Sequence, residues 1–236
     1  MTNTISPFKA FIKNYWLYYR ELENEFMCTR KFVSFHEDNF STYSIEFLKL
    51  YEALCSEIDV IGKAMAASVN NQFNPNNSQN NIFKWWFEIQ YLYKITPSYY
   101  KDENEAEISL NLNTEKLLDI IEIYPWNKFE IEKYRDKKGS VRFRCKSGCS
   151  VPKWWSYYND VKHNRTSVNS EDNSKLNYSK ANLGNVCYAL TALFTLEKAF
   201  MQKLGTQNEL EAFADYSICF DKTENATSDE IQKLFS

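Results

Sequence analysis

The sequence predicts a mainly α fold: a helical bundle of four or five long helices with a small β-hairpin-containing insertion. Three observations carry this expectation. Apolar residues recur at three- and four-residue spacing over long stretches at both ends of the chain. Only 5 Gly and 5 Pro occur in 236 residues, too few turn formers for a long all-β chain. Strand-like alternation is confined to a middle segment. Residues 1–236 therefore read as one helical-bundle domain, with 98–150 as a β-containing insertion within it. A chain of this length buries a core without disulfides or metal.

The first helix is expected from about Pro7 to Phe35, with Pro7 tolerated in its first turn. Phe11, Tyr15, Tyr18, Leu22, Phe26 and Thr29 form its apolar stripe. A second helix starts near Ser41 or Thr42 and runs to about Val69 through Phe47, Leu50, Tyr51, Leu54, Cys55, Ile58, Ile61 and Met65. The tract "NNQFNPNNSQNN" stops it and reads as an exposed loop. A shorter helix is predicted over 82–94, ended by Pro97.

The character then changes. "EISLNLN" alternates like a strand, and "TEKLLDIIEIYPW" fits helix or strand. "KFEIEKYRDKKGSVRFRCK" reads as a hairpin whose turn spans Asp136 to Ser140, with Gly139 able to take positive φ. "WWSYYNDVKHNR" restores helical grammar as one short helix. "TSVNSEDNSKLN" reads as a polar loop. Residues 178–204 form the central helix, apolar on more than one face and closed by Gly205.

Several classes are excluded or disfavoured. The N-terminal "MTNTISPFKAFIKNYW" lacks the basic-then-apolar layout of a signal peptide. No run approaches about 18 uninterrupted apolar residues, so no membrane span is expected. Cys28, Cys55 and Cys187 fall on or near apolar helix faces, as small buried thiols do in a reducing compartment, and a cytoplasmic location is expected. Cys145 and Cys149 have a zinc-pinching spacing but lack further ligands nearby, so the turn reading is preferred and no metal is expected. No P-loop, dinucleotide turn, G-x-S-x-G or H-E-x-x-H occurs, and no cofactor is expected. Asp59 and Lys63, four apart, read as a helix-surface ion pair. Glu57 reads as structural, within reach of Arg20 or Arg30.

Charge is segregated. Between Lys128 and Arg165 eleven Lys and Arg residues face four Asp and Glu, a net of +7 in a chain whose total is −3. Such a segment suits an anionic partner, RNA or another polyanion. Arg142, Arg144 and Lys146 would meet phosphates. Trp154 and Tyr158, with Trp126, Trp155 and Tyr157, would stack on unpaired bases. The competing reading pairs Arg142 and Arg144 with Glu130 and Glu132 across the hairpin. In "YNDVKHNR", helical spacing stacks Asn159 with His163 and sets Lys162 and Arg165 on adjoining faces. An imidazole titrates near neutrality and moves protons, and a cation steadies developing phosphate charge. The competing reading is that His163 fills a helix–helix contact.

The pattern W-x-x-Y-N-x-x-K-H, a loop, and the long helix beginning "ANLGNVCYALTALF" resemble the C-terminal part of HEPN-type proteins, over roughly residues 152–204. The resemblance implies a helical bundle in a bacterial phage-defence or toxin–antitoxin setting. It also implies dimers and metal-independent ribonuclease activity. That family's Arg, four to six residues, then His occurs literally only at Arg30 to His36, at the end of the first helix. The acid–base couple would instead be His163 with Arg165 or Lys162, beside Asn159. The alternative is a non-catalytic helical module that binds a protein partner, such as a phage component, or a second copy of itself.

Overall fold

The structure is a computed structural model and describes residues 5–90 and 115–220. It is mainly α with small antiparallel sheets. Helix α1 (Pro7–Phe11) passes through a π-helical turn, Ile12–Trp16, into α2 (Leu17–Thr29). Ser6 caps the start by accepting from the Lys9 amide at 3.2 Å. The helix ends six residues before the expected Phe35. The Thr29 hydroxyl donates to the Phe26 carbonyl, and the chain turns so that the Phe35 ring stacks on Phe26 at 4.4 Å. Burial of an aromatic thus overrides continuation of the helix.

Helix α3 (Ile45–Val69) starts at Ser44, whose hydroxyl accepts from the Phe47 amide. Its expected stripe is buried throughout, from Phe47 to Met65. The Asn-rich tract after it is a chain of side-chain-stabilised turns. Asn70, Asn74 and Asn77 each accept the backbone amide two residues on. Asn81 then caps α4 (Ile82–Ile89) through the Lys84 amide. The last residues of the helix expected over 82–94, and the "EISLNLN" strand, lie outside the described residues.

Gly62 of α3 lets the Trp85 indole lie against the helix; a Cβ there would sit 2.7 Å from the ring. In open helix, Gly→Ala stabilises by roughly 0.5–1 kcal/mol. Here Gly62→Ala is expected to destabilise by about 1–3 kcal/mol through overpacking. Urea denaturation checks the sign, and a more stable variant would show that the contact relaxes freely.

The ambiguous "TEKLLDIIEIYPW" resolves as a hairpin. Strands β1 (Glu115–Leu117) and β2 (Ile121–Ile123) pair antiparallel, with Leu118 and Asp119 at φ 53° and 60° in the turn. The expected second hairpin is present as β3 (Ile131–Arg135) and β4 (Val141–Cys145), with Gly139 at φ 79°. Gln90, buried at the end of α4, grips this hairpin with both ends of its amide. It donates to the Ile131 carbonyl at 2.7 Å and accepts the Ile131 amide at 2.8 Å.

Helix α5 (Lys153–Asn164) is followed by a third hairpin, β5 (Val168–Asn169) and β6 (Asp172–Leu176), where a plain loop was expected. Helix α6 (Leu183–Leu204) begins after a 3-10 turn at Asn177–Lys180, five residues later than expected. Asn182 caps it and also bridges to Tyr43. Gly205 is not left-handed: its φ is −80°. It is required instead for space, since a Cβ would approach Leu210 at 2.7 Å. A last short helix, α7 (Gln207–Ala212), opens with a Thr206–Glu209 capping box.

α6 is the central element. It packs against α3, the α1–α2 composite, α5 and the first hairpin. Two described helices exceed twenty residues, α3 with 25 and α6 with 22. The tryptophans sit inside: Trp85, Trp86 and Trp126 are each almost fully buried, and Trp126 packs against Trp86 at 4.4 Å. Cys55 and Cys187 are buried, whereas Cys28, expected on the apolar side, is exposed. No helix among the described residues is long and apolar enough to cross a membrane.

Candidate functional site

Helix α5 is positioned by its aromatic residues. Trp154 is buried, donates its indole N–H to the Pro125 carbonyl at 2.8 Å and meets Trp126 edge-on. It is therefore an anchor and not the exposed stacking platform expected from the sequence. Trp126 and Trp155 are buried likewise. Tyr158 is buried against Tyr51, and loss of water raises its phenol pKa well beyond the usual range. It is nonetheless among the residues that line a cleft.

That cleft, about 470 Å³, lies between α3, α5 and the Asn-rich turns. Ser56 and Asp59 line it from α3, Asn80, Asn81 and Phe83 from the turns and α4, and Trp155, Ser156, Tyr158, Asn159 and Lys162 from α5. The Lys162 ammonium stands 5.3 Å from the Tyr158 ring centroid, a cation–π arrangement. The Asn159 amide donates back to the Trp155 carbonyl at 3.1 Å. Asp59 is bound to Lys63 and to the Trp85 indole. The expected Asp59–Lys63 pair therefore forms, and it shapes one wall of the cleft.

Of the residues expected to act together, Tyr158, Asn159 and Lys162 meet in this cleft. His163 is exposed on α5 and is not among the lining residues; Arg165 is also exposed and approaches Glu52 at 3.9 Å. The hairpin cations do not reach the cleft either. Arg142 pairs with Asp136 at 3.1 Å, Arg144 with Glu132 at 2.7 Å and Lys146 with Glu130 at 2.8 Å. The competing cross-strand reading thus describes the hairpin, although Arg142 takes Asp136 rather than a strand glutamate. The three acidic residues of 128–146 are thereby each paired with one of its eight Lys and Arg residues, and the segment keeps a net positive charge.

A second cleft, about 460 Å³, lies on the other flank of α5 and shares Val151 and Ser156 with the first. Tyr124, Asn127, Lys153, Tyr157 and Tyr188 line it. Tyr157 is held between two ammonium groups, Lys153 and Lys180, and donates to Glu171. Lys180 is buried and tied to Asp160 at 2.7 Å.

The lining residues missed in the sequence include Ser56, Asn80, Asn81 and Phe83. The available signal was Asn81, an N-cap type directly before "IFKWWF". It marks the edge of a packed element rather than a free loop. Among the described residues no group of three or more His, Cys, Asp and Glu side chains is placed to hold a metal. Cys145 and Cys149 flank a turn in which Gly148 has φ 83°. Comparison with protein-family models, with curated proteins and with solved structures returned no match.

Proposed function

We propose that this chain binds RNA, or another phosphate-bearing ligand of the same chemistry, in the cleft between α3 and α5. The observation that carries the reading is the company Lys162 keeps. Its ammonium rests on an aromatic ring rather than on a carboxylate, at the lip of a cleft furnished with three Asn amides and the Phe83 ring. A phosphate gains a charge-assisted hydrogen bond from such a cation. Asn amides read polar base edges, and an aromatic face accepts a stacked base. The hairpin cations extend the same reading. Exposed ion pairs are worth roughly 0–1 kcal/mol each, so Arg142, Arg144 and Lys146 can exchange carboxylates for phosphates at small cost.

In this proposal the chain acts as a HEPN-like bundle of bacterial defence or toxin–antitoxin type, working in the cytoplasm. The α1–α2 composite, α3, α5 and α6 are its four helices. Binding is the function assigned. Cleavage with His163 as acid or base would need the imidazole to reach a ligand held by Lys162, and His163 stands outside the lining.

Single-stranded RNA titrated against the protein is expected to quench tryptophan fluorescence and to bind less tightly as salt rises. Lys162→Ala is expected to weaken binding about tenfold or more, from about 1.5–3 kcal/mol for a hydrogen bond to a charged group. Absence of RNA binding, or binding indifferent to both salt and Lys162, would sink the proposal. Salt-indifferent association of the chain with itself would support the protein-interaction alternative instead.

A further inference from the structure

The core contains a polar arrangement that neither cleft uses. Glu197, on α6, is fully buried, and neither of its carboxyl oxygens has a hydrogen-bond partner. Glu57 of α3, the helix that packs along α6, is 8 % exposed. Tyr15 comes from the π-helical turn of the first helix and is half-buried, with its ring packed against Phe11 and Phe200. Three elements thus bring two carboxyls and a phenol toward one region of the core. Both Glu57 and Glu197 act electrostatically on Tyr15. π-turns often mark functional positions within helices.

An ionised carboxylate buried without a partner costs several kcal/mol. A second carboxylate nearby raises that cost, because two like charges cannot both ionise at close range. Glu57 is not relieved by Arg20, as the sequence allowed, because that guanidinium is engaged by Glu23 and Asp215. Two cations near α6 also have their own partners. Lys198 meets Glu115 of β1, and Lys180 meets Asp160 of α5.

We propose that Glu57 and Glu197, with Tyr15 at the outer edge, form a proton-binding site that locks α3 to α6, and that proton loss loosens this packing. Burial, and then the charge of Glu57, pushes the Glu197 carboxyl well above the usual range. Burial pushes Glu57 up to about 7. Both groups take up protons on folding. Their contribution to stability is therefore complete below the ordinary carboxyl range near 4.5 and declines as pH rises through about 7. This sense is opposite to that of carboxylates held by salt bridges, which lose stability in acid.

The test is urea unfolding of the full chain across a series of pH values from about 5 to about 8.5. The folded-to-unfolded ratio of the wild type is expected to fall at least tenfold over that range. In Glu197→Gln, which is neutral at every pH, the fall is expected to be at least tenfold smaller than in the wild type, leaving the part that Glu57, pushed up to about 7 by burial, contributes alone, and the variant should be the more stable protein at the alkaline end. Stability that is flat or rises with pH in the wild type would overturn the proposal, as would an unchanged slope in Glu197→Gln. If Glu197→Gln does not fold, Glu57→Gln is read the same way. Infrared spectroscopy of the wild type must then show a protonated-carboxyl band at neutral pH, and its absence would overturn the site.

Discussion

Glu23→Ala is expected to destabilise the protein by about 3–5 kcal/mol, the range for breaking a buried charge network from one side. It is also expected to release the segment 213–220 from the bundle. Glu23 is fully buried on α2 and collects donors from two distant parts of the chain. The Tyr19 hydroxyl donates to it at 2.8 Å, the Cys219 amide at 2.9 Å and the Ile218 amide at 3.1 Å, with the Ser217 hydroxyl and the Arg20 guanidinium completing the set. Removing the carboxylate orphans these donors, and each buried unsatisfied group costs about 1–3 kcal/mol. The consequences extend further. The Phe220 ring stacks on Phe194 of α6 at 4.4 Å, and the Cys219 carbonyl accepts the Leu118 amide at 2.7 Å, so the same segment closes over the first hairpin. Denaturation gives the stability, and hydrogen exchange at Ile218 and Cys219 gives the release. A loss below about 1 kcal/mol with those amides still protected would show that the aromatic contact alone holds the segment.

That network also shows where sequence reading stops. The stripe of α3 was legible because one residue in three or four is apolar, and burial follows that period. The β3–β4 hairpin was legible because Gly139 and Asp136 sit between alternating runs, and both are used: Asp136 accepts the Lys138 and Ser140 amides at 2.9 Å. Glu23 gave no signal, because on a helix a Glu beside Arg20 reads as a surface pair. Its burial depends on residues nearly two hundred positions away. The π-turn at Ile12–Trp16 also has no local signature. The first helix was expected to be regular, and the turn is held by contacts such as the Trp16 indole donating to Asp215 at 2.9 Å.

The proposed site was half legible for a related reason. Helical spacing placed Asn159 and Lys162 on adjoining faces of α5, and that depends only on local geometry. Charge counting read the hairpin cations as a field awaiting an anion. Strand register instead sets Glu132 opposite Arg144, and the turn brings Asp136 to Arg142. Register is a pairing property, and a net charge over a window cannot express it. The Asn-rich tract was read by composition as solvent-exposed loop. It is indeed exposed loop, and its asparagines in addition fix successive turns that set Asn80 and Asn81 against the cleft.

Trp126→Ala is expected to cost about 3–5 kcal/mol of stability. It is also expected to weaken the RNA binding proposed for the α3–α5 cleft, although Trp126 lines neither cleft. Trp126 lies between β2 and β3, where its ring meets Trp86 and Trp85 of α4, Phe129 and, at 5.2 Å, Trp154 of α5. Its indole N–H donates to the Thr195 hydroxyl of α6 at 3.0 Å. One side chain therefore fixes α4, α5 and α6 relative to one another. Truncation leaves a cavity that these neighbours cannot fill without moving, and α5 carries Asn159 and Lys162. Trp126→Phe separates the two contributions. It keeps most of the packing and loses the hydrogen bond, at about 1 kcal/mol for the bond itself. If Trp126→Ala lowers stability as expected while RNA affinity stays at the wild-type value, α5 is held by Trp154 and the Pro125 carbonyl alone. If both fall together, the tryptophans that the sequence offered as base-stacking platforms serve the cleft from beneath, by setting the position of the helix that forms its wall.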